Sequence, residues 1–151
     1  MLRFRSHSEH SLDPKGRLNI PTRFREVLRE QYKSDMLIVT HWEKSLRVYP
    51  EAEWEALEEK LLSHEGGEPD DFGEVVSYII AGANECPVDK QGRILLPPTL
   101  RSEMGIDKDV AVVGKLRHFE IWDKSTWDAE SSKTRQNFGK YKPGLAKLGI
   151  I

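Results

Sequence analysis

The chain lacks most of the features that mark secreted and membrane-embedded proteins. Its 151 residues include one cysteine, Cys86, so no internal disulfide can form. The longest apolar run, Val75–Ala83, is interrupted by Ser77 and Gly82 and is far shorter than the roughly 20 residues that a membrane-spanning helix needs. No charged-then-apolar leader opens the chain. These absences predict a soluble protein of the reducing cytoplasm, with no membrane partner.

Residue patterns that indicate catalysis are also scarce. His7 and His10 form an H-x-x-H motif, but on a strand-like segment they would point to opposite faces, and no carboxylate or cysteine stands at ligand spacing. Cys86 has no identifiable base partner, which favours a buried small residue over a nucleophile. No phosphate-binding loop is present. The sequence therefore predicts no enzyme, no metal site, no cofactor and no small-molecule substrate.

Charge is nearly balanced in sum but segregated along the chain. The formal net charge is −2 and the pI is about 6.2, which alone would argue against binding a polyanion. Residues 1–33 are basic, through Arg3, Arg5, Lys15, Arg17, Arg23, Arg25, Arg29 and Lys33. Residues 51–74 are acidic and would repel a polyanion. A second basic stretch begins at Lys133, and its last part is expected to form a mobile tail.

One nine-residue phrase occurs twice, as DPKGRLNIP at residues 13–21 and DKQGRILLP at residues 89–97. The correspondence pairs Asp13 with Asp89, Gly16 with Gly92, Arg17 with Arg93 and Arg25 with Arg101, and after a short deletion Val39 with Val112 and Trp54 with Trp127. The chain is therefore a tandem duplication. Halves of this size seldom supply a stable core alone, so the copies are expected to pack against each other or against neighbouring chains.

Each copy contains the same local signals in the same order. Asp at the first turn position and Gly at the fourth suit a type I turn followed by a left-handed glycine, a common way to close a hairpin. Short helices are predicted at Thr22–Leu28 and Pro98–Met104, strand pairs at Met36–Thr40 with Leu46–Tyr49 and at Val110–Val113 with His118–Trp122, a helix at Glu51–Leu62, and a strand at Ala83–Val88. Trp54 and Trp127 are expected in the core, at matching helical positions.

These signals divide the chain into four parts. A first repeat spans 1–62, an acidic linker and helix 63–82, a second repeat 83–127, and a basic helix end and tail 128–151. Within the second part, HEGGEPDD reads as the linker, and Asp70 or Asp71 is expected to cap a helix that runs to about Ile80.

The duplicated D-x-x-x-R turns and the G-R-hydrophobic-x-hydrophobic-P strands resemble the MraZ family. The stretches LIVTHWEKSLRVYP and ANECPVDKQGR carry the same likeness, which extends from the first residues to about Trp127. The resemblance implies a mainly β fold with short helices, an α+β class, built as a tandem duplicated swapped-hairpin barrel related to the AbrB and MazE DNA-binding modules. It also implies a bacterial transcriptional regulator of the nucleoid that assembles into a ring. Such a regulator would bind short repeated boxes in its own promoter, in the division and cell-wall gene cluster.

The turn residues are the candidate contacts to double-stranded DNA. An arginine just after a left-handed glycine can fork onto a phosphate or a guanine edge. A carboxylate repels phosphate, so Asp13 is expected to cap the turn and to orient the guanidinium of Arg17. The DNA-binding candidates are Arg17, Lys15, Asp13, Arg3, Arg5, Arg23, Arg25, Arg93 and Asp89. The first copy is expected to dominate, because more cations lie near its turn in sequence.

Three other interpretations compete with this one. The Asp–Arg pair could be a structural bridge across a hairpin and nothing more. The chain could be an antitoxin-like DNA-binding module that neutralises a protein toxin, although such modules usually carry one copy and a long disordered extension. It could also be a purely structural ring former, with the acidic helix meeting a basic surface on the next subunit.

Overall fold

Both repeats fold into the same series of elements in a computed structural model that describes residues 2–63 and 73–151. Repeat one contains β1 (His7–Ser11), β2 (Arg17–Asn19), α1 (Thr22–Val27) extended by a π-helical turn (Leu28–Tyr32), β3 (Met36–His41), β4 (Leu46–Pro50) and α2 (Glu51–Ser63). After α3 (Gly73–Ala81), repeat two contains β5 (Asn84–Pro87), β6 (Arg93–Leu95), α4 (Pro98–Glu103), β7 (Asp109–Gly114), β8 (Phe119–Asp123), α5 (Lys124–Gln136) and α6 (Phe138–Lys147). The predicted mainly β fold with short helices is confirmed.

The two repeats exchange strands. A six-stranded sheet has the order β1-β7-β8-β4-β3-β5, and a separate two-stranded ribbon joins β2 to β6. β1 pairs with β7 of the other repeat, β5 with β3, and β4 with β8, all antiparallel. If each strand is replaced by its equivalent in the other repeat, the same set of strand pairs results: β1–β7 becomes β5–β3, and β4–β8 is unchanged. The chain therefore has an internal two-fold relationship.

The predicted hairpins at the two Asp–Gly turns are wrong. Asp13 and Gly16 lie between β1, in the six-stranded sheet, and β2, in the ribbon, and these two strands do not pair with each other along their length. The same holds for the turn between β5 and β6. Each strand pairs with the other repeat because a single repeat has too little apolar surface to enclose its own inward-facing residues. The predicted pairs β3–β4 and β7–β8 are confirmed as hairpins within a repeat.

One apolar core lies between the sheet and the ribbon and draws on both repeats. Equivalent residues are buried together, including Leu18 with Ile94, Ile20 with Leu96, Phe24 with Leu100, Val39 with Val112 and Val48 with Ile121. Phe4 packs edge-on against Phe24, with ring centroids 5.2 Å apart, and lies 5.2 Å from Phe119. The segment that precedes β1 is thereby attached to helix α1 of its own repeat and to β8 of the other.

The helices that follow the strands begin where the sequence predicts. Pro97 and Pro98 start α4, because a proline at the first helical position sacrifices no intrahelical hydrogen bond. In α2, Trp54 is buried beside Ile38 and Tyr49. The equivalent Trp127 of α5 is only half-buried, so its predicted place in the core is confirmed only in part.

The C-terminal segment differs from the expected mobile tail. Residues Phe138–Lys147 form α6, which is separated from α5 by the single residue Asn137 and contains Pro143. The predicted linker HEGGEPDD and the predicted caps Asp70 and Asp71 lie outside the described residues. Within the described residues, no helix combines the length and the apolarity that crossing a membrane would require.

The exchange of strands predicts that neither repeat forms a folded monomer alone. We expect residues 1–82 and residues 83–151, produced separately, to lack a cooperative urea transition at low concentration, because each half leaves its inward face in water. Mixing the two segments should restore the transition, followed by circular dichroism. A cooperatively folded monomer of either segment would contradict this arrangement.

Candidate nucleic-acid interface

The first turn is organised by the carboxylate of Asp13. Its Oδ1 accepts hydrogen bonds from the backbone N–H groups of Lys15 (3.0 Å) and Arg17 (2.8 Å), and its Oδ2 accepts from the Nε of Arg17 at 2.6 Å. The backbone N–H of Gly16 donates to the carbonyl of Asp13 at 2.9 Å, and Gly16 has φ +85°. The predicted turn with a left-handed glycine is confirmed, and Asp13 caps it while holding the arginine.

The second turn repeats this geometry. Asp89 Oδ1 accepts from the backbone N–H groups of Gln91 and Arg93, both at 2.9 Å, and Oδ2 accepts from the Nε of Arg93 at 3.1 Å. Gly92 has φ +80° and donates to the carbonyl of Asp89 at 2.9 Å. The Pro14 of the first turn is therefore not required for the conformation, since Asp and Gly suffice.

Both carboxylates are stabilised in their ionised form. The backbone N–H of Arg17 is the main cause that lowers the pKa of Asp13, and the guanidinium of Arg17 and the N–H of Lys15 add to it. The pKa of Asp89 is lowered in the same way, first by the backbone N–H of Arg93. Each ion pair is therefore maintained at neutral pH and below it.

The ribbon places both arginines on one exposed face. Its register pairs Arg17 with Leu95 and Asn19 with Arg93, while the intervening Leu18 points into the core. Diagonal neighbours on one face of an antiparallel pair lie roughly 7–8 Å apart, which is the relation of Arg17 to Arg93. The side chains of Arg17 and Arg93 are 32% and 23% exposed, and Leu95 is 54% exposed.

Arg25 lies beside the second turn rather than the first. A Cβ added to Gly92 would come within 2.5 Å of the Nη1 of Arg25, and one added to Gly16 within 2.9 Å of the Nη1 of Arg101. Each turn is thus backed by an arginine from the helix of the other repeat. Arg25 was expected to add positive charge to the first turn, and the exchange of strands moves it to the second.

A basic cleft adjoins the second turn. It has a volume of about 330 Å³, and its lining includes Arg25, Arg29, Asp35, Asp89, Lys90 and Gly92. The Nε of Arg25 is buried there without a hydrogen-bond partner among the described residues. Arg29 and Lys90 were not among the predicted site residues, and they come together because α1 crosses from repeat one to the turn of repeat two.

Comparison with known proteins identifies the group to which this architecture belongs. The family model of the MraZ protein matches residues 4–71 and 79–142. The chain belongs to the MraZ family. It is 44% identical over 147 residues to the transcriptional regulator MraZ of Syntrophobacter fumaroxidans, a match that covers 97% of each chain. It is 39% identical to that of Desulforapulum autotrophicum, over 97% of this chain and 99% of the relative, and 37% identical to that of Desulforamulus reducens, over 96% and 99%.

Membership in MraZ confirms the predicted family and the prediction that the chain is not an enzyme, since the family is one of transcriptional regulators. The match includes both repeats, which agrees with the internal duplication and with the two equivalent turns.

The remaining predicted MraZ site residues are not gathered at one place. Lys15 is exposed within the first turn, and Arg23 is exposed on α1. Arg3 and Arg5 flank Phe4, whose backbone pairs with Leu116, so the length of β1, roughly 16 Å at about 3.3 Å per residue, separates them from the first turn. Arg3 and Arg5 are therefore close to the turn in sequence only.

Two residues of the ribbon face were missed by the sequence reasoning. Asn19 and Leu95 lie beside the arginines on the exposed side. The signal was present, because alternate residues of a strand face opposite sides and both RLN and RIL carry an apolar residue in the middle. The two strands were not known to be partners, so the four outer residues could not be joined into one surface.

His7, His10 and Cys86 make packing and hydrogen-bonding contacts of a structural kind. His10 is hydrogen-bonded to Ser8 at 2.7 Å, and His7 lies 5.8 Å from the ring of Trp127. Burial raises the pKa of the Cys86 thiol to about 11, which keeps it protonated at neutral pH. Over residues 2–63 and 73–151, no group of three or more metal-ligating side chains is assembled.

The lowered pKa values predict how stability responds to acid. A carboxyl with a depressed folded-state pKa contributes stability above its unfolded pKa of about 4 and loses that contribution as pH falls through the folded pKa. We therefore expect the double variant Asp13→Asn/Asp89→Asn to lose less stability than the parent between about pH 4 and pH 2, measured by urea unfolding. Glu26→Gln, at an exposed acid of α1, serves as the control and should follow the parent. Identical slopes for the double variant and the parent would show that the turn carboxylates are not linked to folding.

Proposed function

We propose that this MraZ protein is a sequence-specific transcription regulator that binds double-stranded DNA through the exposed face of the β2–β6 ribbon. In this proposal it recognises short repeated boxes in its own promoter, in a division and cell-wall gene cluster, as a ring-shaped oligomer of the nucleoid. The observation that carries the proposal is the pair Arg17 and Arg93, each held by an aspartate and diagonal to one another on one face.

A two-stranded ribbon is a form of backbone that fits the major groove of DNA. That groove is about 12 Å wide and admits a two-stranded β-ribbon, and it is there that base pairs differ in their hydrogen-bonding edges. Asp13 and Asp89 engage the Nε atoms of their arginines, which leaves the terminal nitrogens for an acceptor on DNA. Two terminal nitrogens match the O6 and N7 of guanine. The aspartates themselves orient the arginines and do not contact DNA.

The neighbours of the arginines fit two further classes of contact. Asn19 offers an amide that can pair with adenine, and Leu95 offers an apolar surface for the thymine methyl group. In this proposal the exposed Lys15 and Arg23 contact phosphates, as do Lys90 and Arg29, which line the cleft beside the second turn. Phosphate contacts add affinity that depends on salt and does not depend on sequence.

Multiplicity compensates for the small number of contacts per subunit. One ribbon supplies two arginines, while the chain as a whole carries a net charge of −2. Several ribbons in one assembly would engage several boxes at once, and the effective concentration of each additional ribbon raises avidity without new types of contact. The spacing of the boxes would then contribute to specificity.

The arginine assignment predicts a loss of sequence discrimination. We expect Arg17→Ala and Arg93→Ala each to weaken binding to the promoter boxes by about tenfold or more, in line with about 1–3 kcal/mol for a bidentate base contact. The two losses should be similar. The first turn was expected to dominate because more cations lie near it in sequence, but one of those cations, Arg25, lies beside the second turn. Titrations at fixed salt, with promoter and scrambled DNA, measure this.

Lys15→Ala is the matched control for the arginine variants. It should weaken binding to promoter and scrambled DNA alike and reduce the slope of log K against log salt by about one contact. An Arg17→Ala protein that keeps full discrimination would overturn the assignment.

The multivalent proposal predicts dependence on helical phase. Moving one box by about 5 base pairs rotates it by half a turn of the double helix and should reduce affinity for the array, whereas moving it by about 10 base pairs should restore much of it. Affinity that ignores the phase would exclude simultaneous engagement by a rigid assembly.

A further inference from the structure

Helix α3 is apolar yet uncovered. None of its residues is buried, and Val75, Tyr78 and Ile80 are 56%, 42% and 39% exposed. Apolar surface of this extent on one helix usually marks a contact with another macromolecule. The helix is the segment GEVVSYIIA, and its only acidic residue is Glu74.

The position of α3 is defined by hydrogen bonds to the end of β3. Thr40 Oγ1 donates to the carbonyl of Ile79 at 2.6 Å, and His41 Nε2 donates to the carbonyl of Tyr78 at 2.5 Å. The rings of His41 and Tyr78 stack, with centroids 3.5 Å apart. Helix α3 is thus attached at its C-terminal end, where Ile79 also packs against the cluster of Ile38, Tyr49 and Trp54, while Val75 and Ile80 remain exposed.

A groove runs between α2 and α3. Its volume is about 780 Å³, and its lining combines apolar and acidic side chains. The apolar set, here called the floor, includes Leu62, Val76 and Ile80, and the acidic set, here called the rim, consists of Glu55, Glu58 and Glu59. A partner that fits this groove carries an apolar stripe flanked by positive charge.

Helix α6 and the residues after it have that character. Phe138, Tyr141 and Leu148 follow a helical spacing and are 52%, 53% and 74% exposed. Residues 138–151 contain Lys140, Lys142 and Lys147 and no aspartate or glutamate. The segment is therefore complementary to the groove in both apolarity and charge.

The internal two-fold relationship places the groove and α6 in opposite repeats. Helix α2 follows β4 and packs on the sheet of repeat one, whereas α5 follows β8 at the equivalent position of repeat two and leads directly into α6. A contact between two different surfaces of the same chain is heterologous, and a heterologous contact builds a ring when its rotation closes and an open filament when it does not.

We propose that α6 of one copy docks into the α2–α3 groove of the next copy, with its apolar stripe on the floor and its lysines against the glutamate rim. This inference rests on the ring assembly of the proposed function and names the contact that builds it. Docking covers the apolar faces of α3 and α6 together. It also neutralises the acidic helix, which would otherwise repel DNA.

Charge reversal with rescue tests the contact in the full-length protein. The variant Lys140→Glu/Lys142→Glu/Lys147→Glu and the variant Glu55→Lys/Glu58→Lys/Glu59→Lys should each reduce the assembly to smaller species, measured as mass by sedimentation velocity. Combining all six changes in one chain should restore the parent mass, because each rim then meets the opposite charge again. Lys33→Glu/Lys108→Glu, at exposed lysines outside α6, should leave the mass unchanged. Circular dichroism establishes that each variant is folded.

Cross-linking tests the same contact without changing charge. A Leu62→Cys protein and a Phe138→Cys protein are mixed, dissociated, reassociated and oxidised. The expected product is a disulfide-linked dimer that contains one chain of each variant. The native Cys86 is buried, and the parent protein under the same treatment reports any background from it. A Leu62→Cys/Phe138→Cys chain that links only within itself would overturn the proposal, because α6 would then occupy its own groove.

The outcomes separate this inference from the proposed function. If the contact is as proposed, each charge-reversed variant loses at least tenfold affinity for an array of boxes, and the six-change chain, whose net charge equals that of the parent, regains it. If the parent assembles and the variants keep its mass, the contact is wrong although DNA binding stands. If the parent is monomeric, or associates only with a different protein, the inference is overturned. If the parent assembles through this contact but does not bind promoter DNA, the proposed function fails and the contact stands.

Discussion

The pairing of β2 with β6 is the interaction on which the rest of the molecule depends. Leu18 and Ile94 face each other across this ribbon and are both fully enclosed by the common core. Because successive residues of a strand point to opposite sides, burying these two side chains requires Arg17 and Arg93 to emerge on the outer face. A shift of one residue would exchange the apolar and the basic faces, so the packing of the core also sets the position of the candidate DNA contacts.

The aspartate turns make that face rigid. In each turn one carboxylate accepts two backbone N–H groups and one guanidinium N–H, so the backbone bend and the orientation of the arginine have the same origin. An arginine that is already oriented loses less conformational freedom when it binds, which favours recognition of a base edge over loose attraction to phosphate. The lowered pKa values of Asp13 and Asp89 reflect the same hydrogen bonds.

The two copies kept their strands in common and diverged in their helices. The helix after β4 is acidic, with Glu51, Glu53, Glu55, Glu58 and Glu59, while residues 138–151 are basic. The internal two-fold relationship makes α5 the equivalent of α2, and the basic segment 138–151 follows α5, so the acidic helix and the basic segment belong to opposite repeats. Duplication within one chain thus provides a symmetric candidate DNA-binding face together with two surfaces of opposite charge, the pair proposed to associate between chains.

Local structure was predictable from the sequence wherever the deciding interaction spans a few residues. The turns followed from Asp13 and Gly16 because their hydrogen bonds join residues at most four positions apart. Helices α1, α2 and α4 and the hairpins β3–β4 and β7–β8 followed from local residue patterns, whereas α6 did not. Which strands pair between repeats was decided only by tertiary structure, because alternation shows that Leu18 faces inward but does not name its partner. The same cause placed Arg25 at the second turn and left Arg3 remote from the first. Contacts between distant parts of a chain are selected by the burial of a common core, a property of the assembled whole that no short stretch of sequence contains.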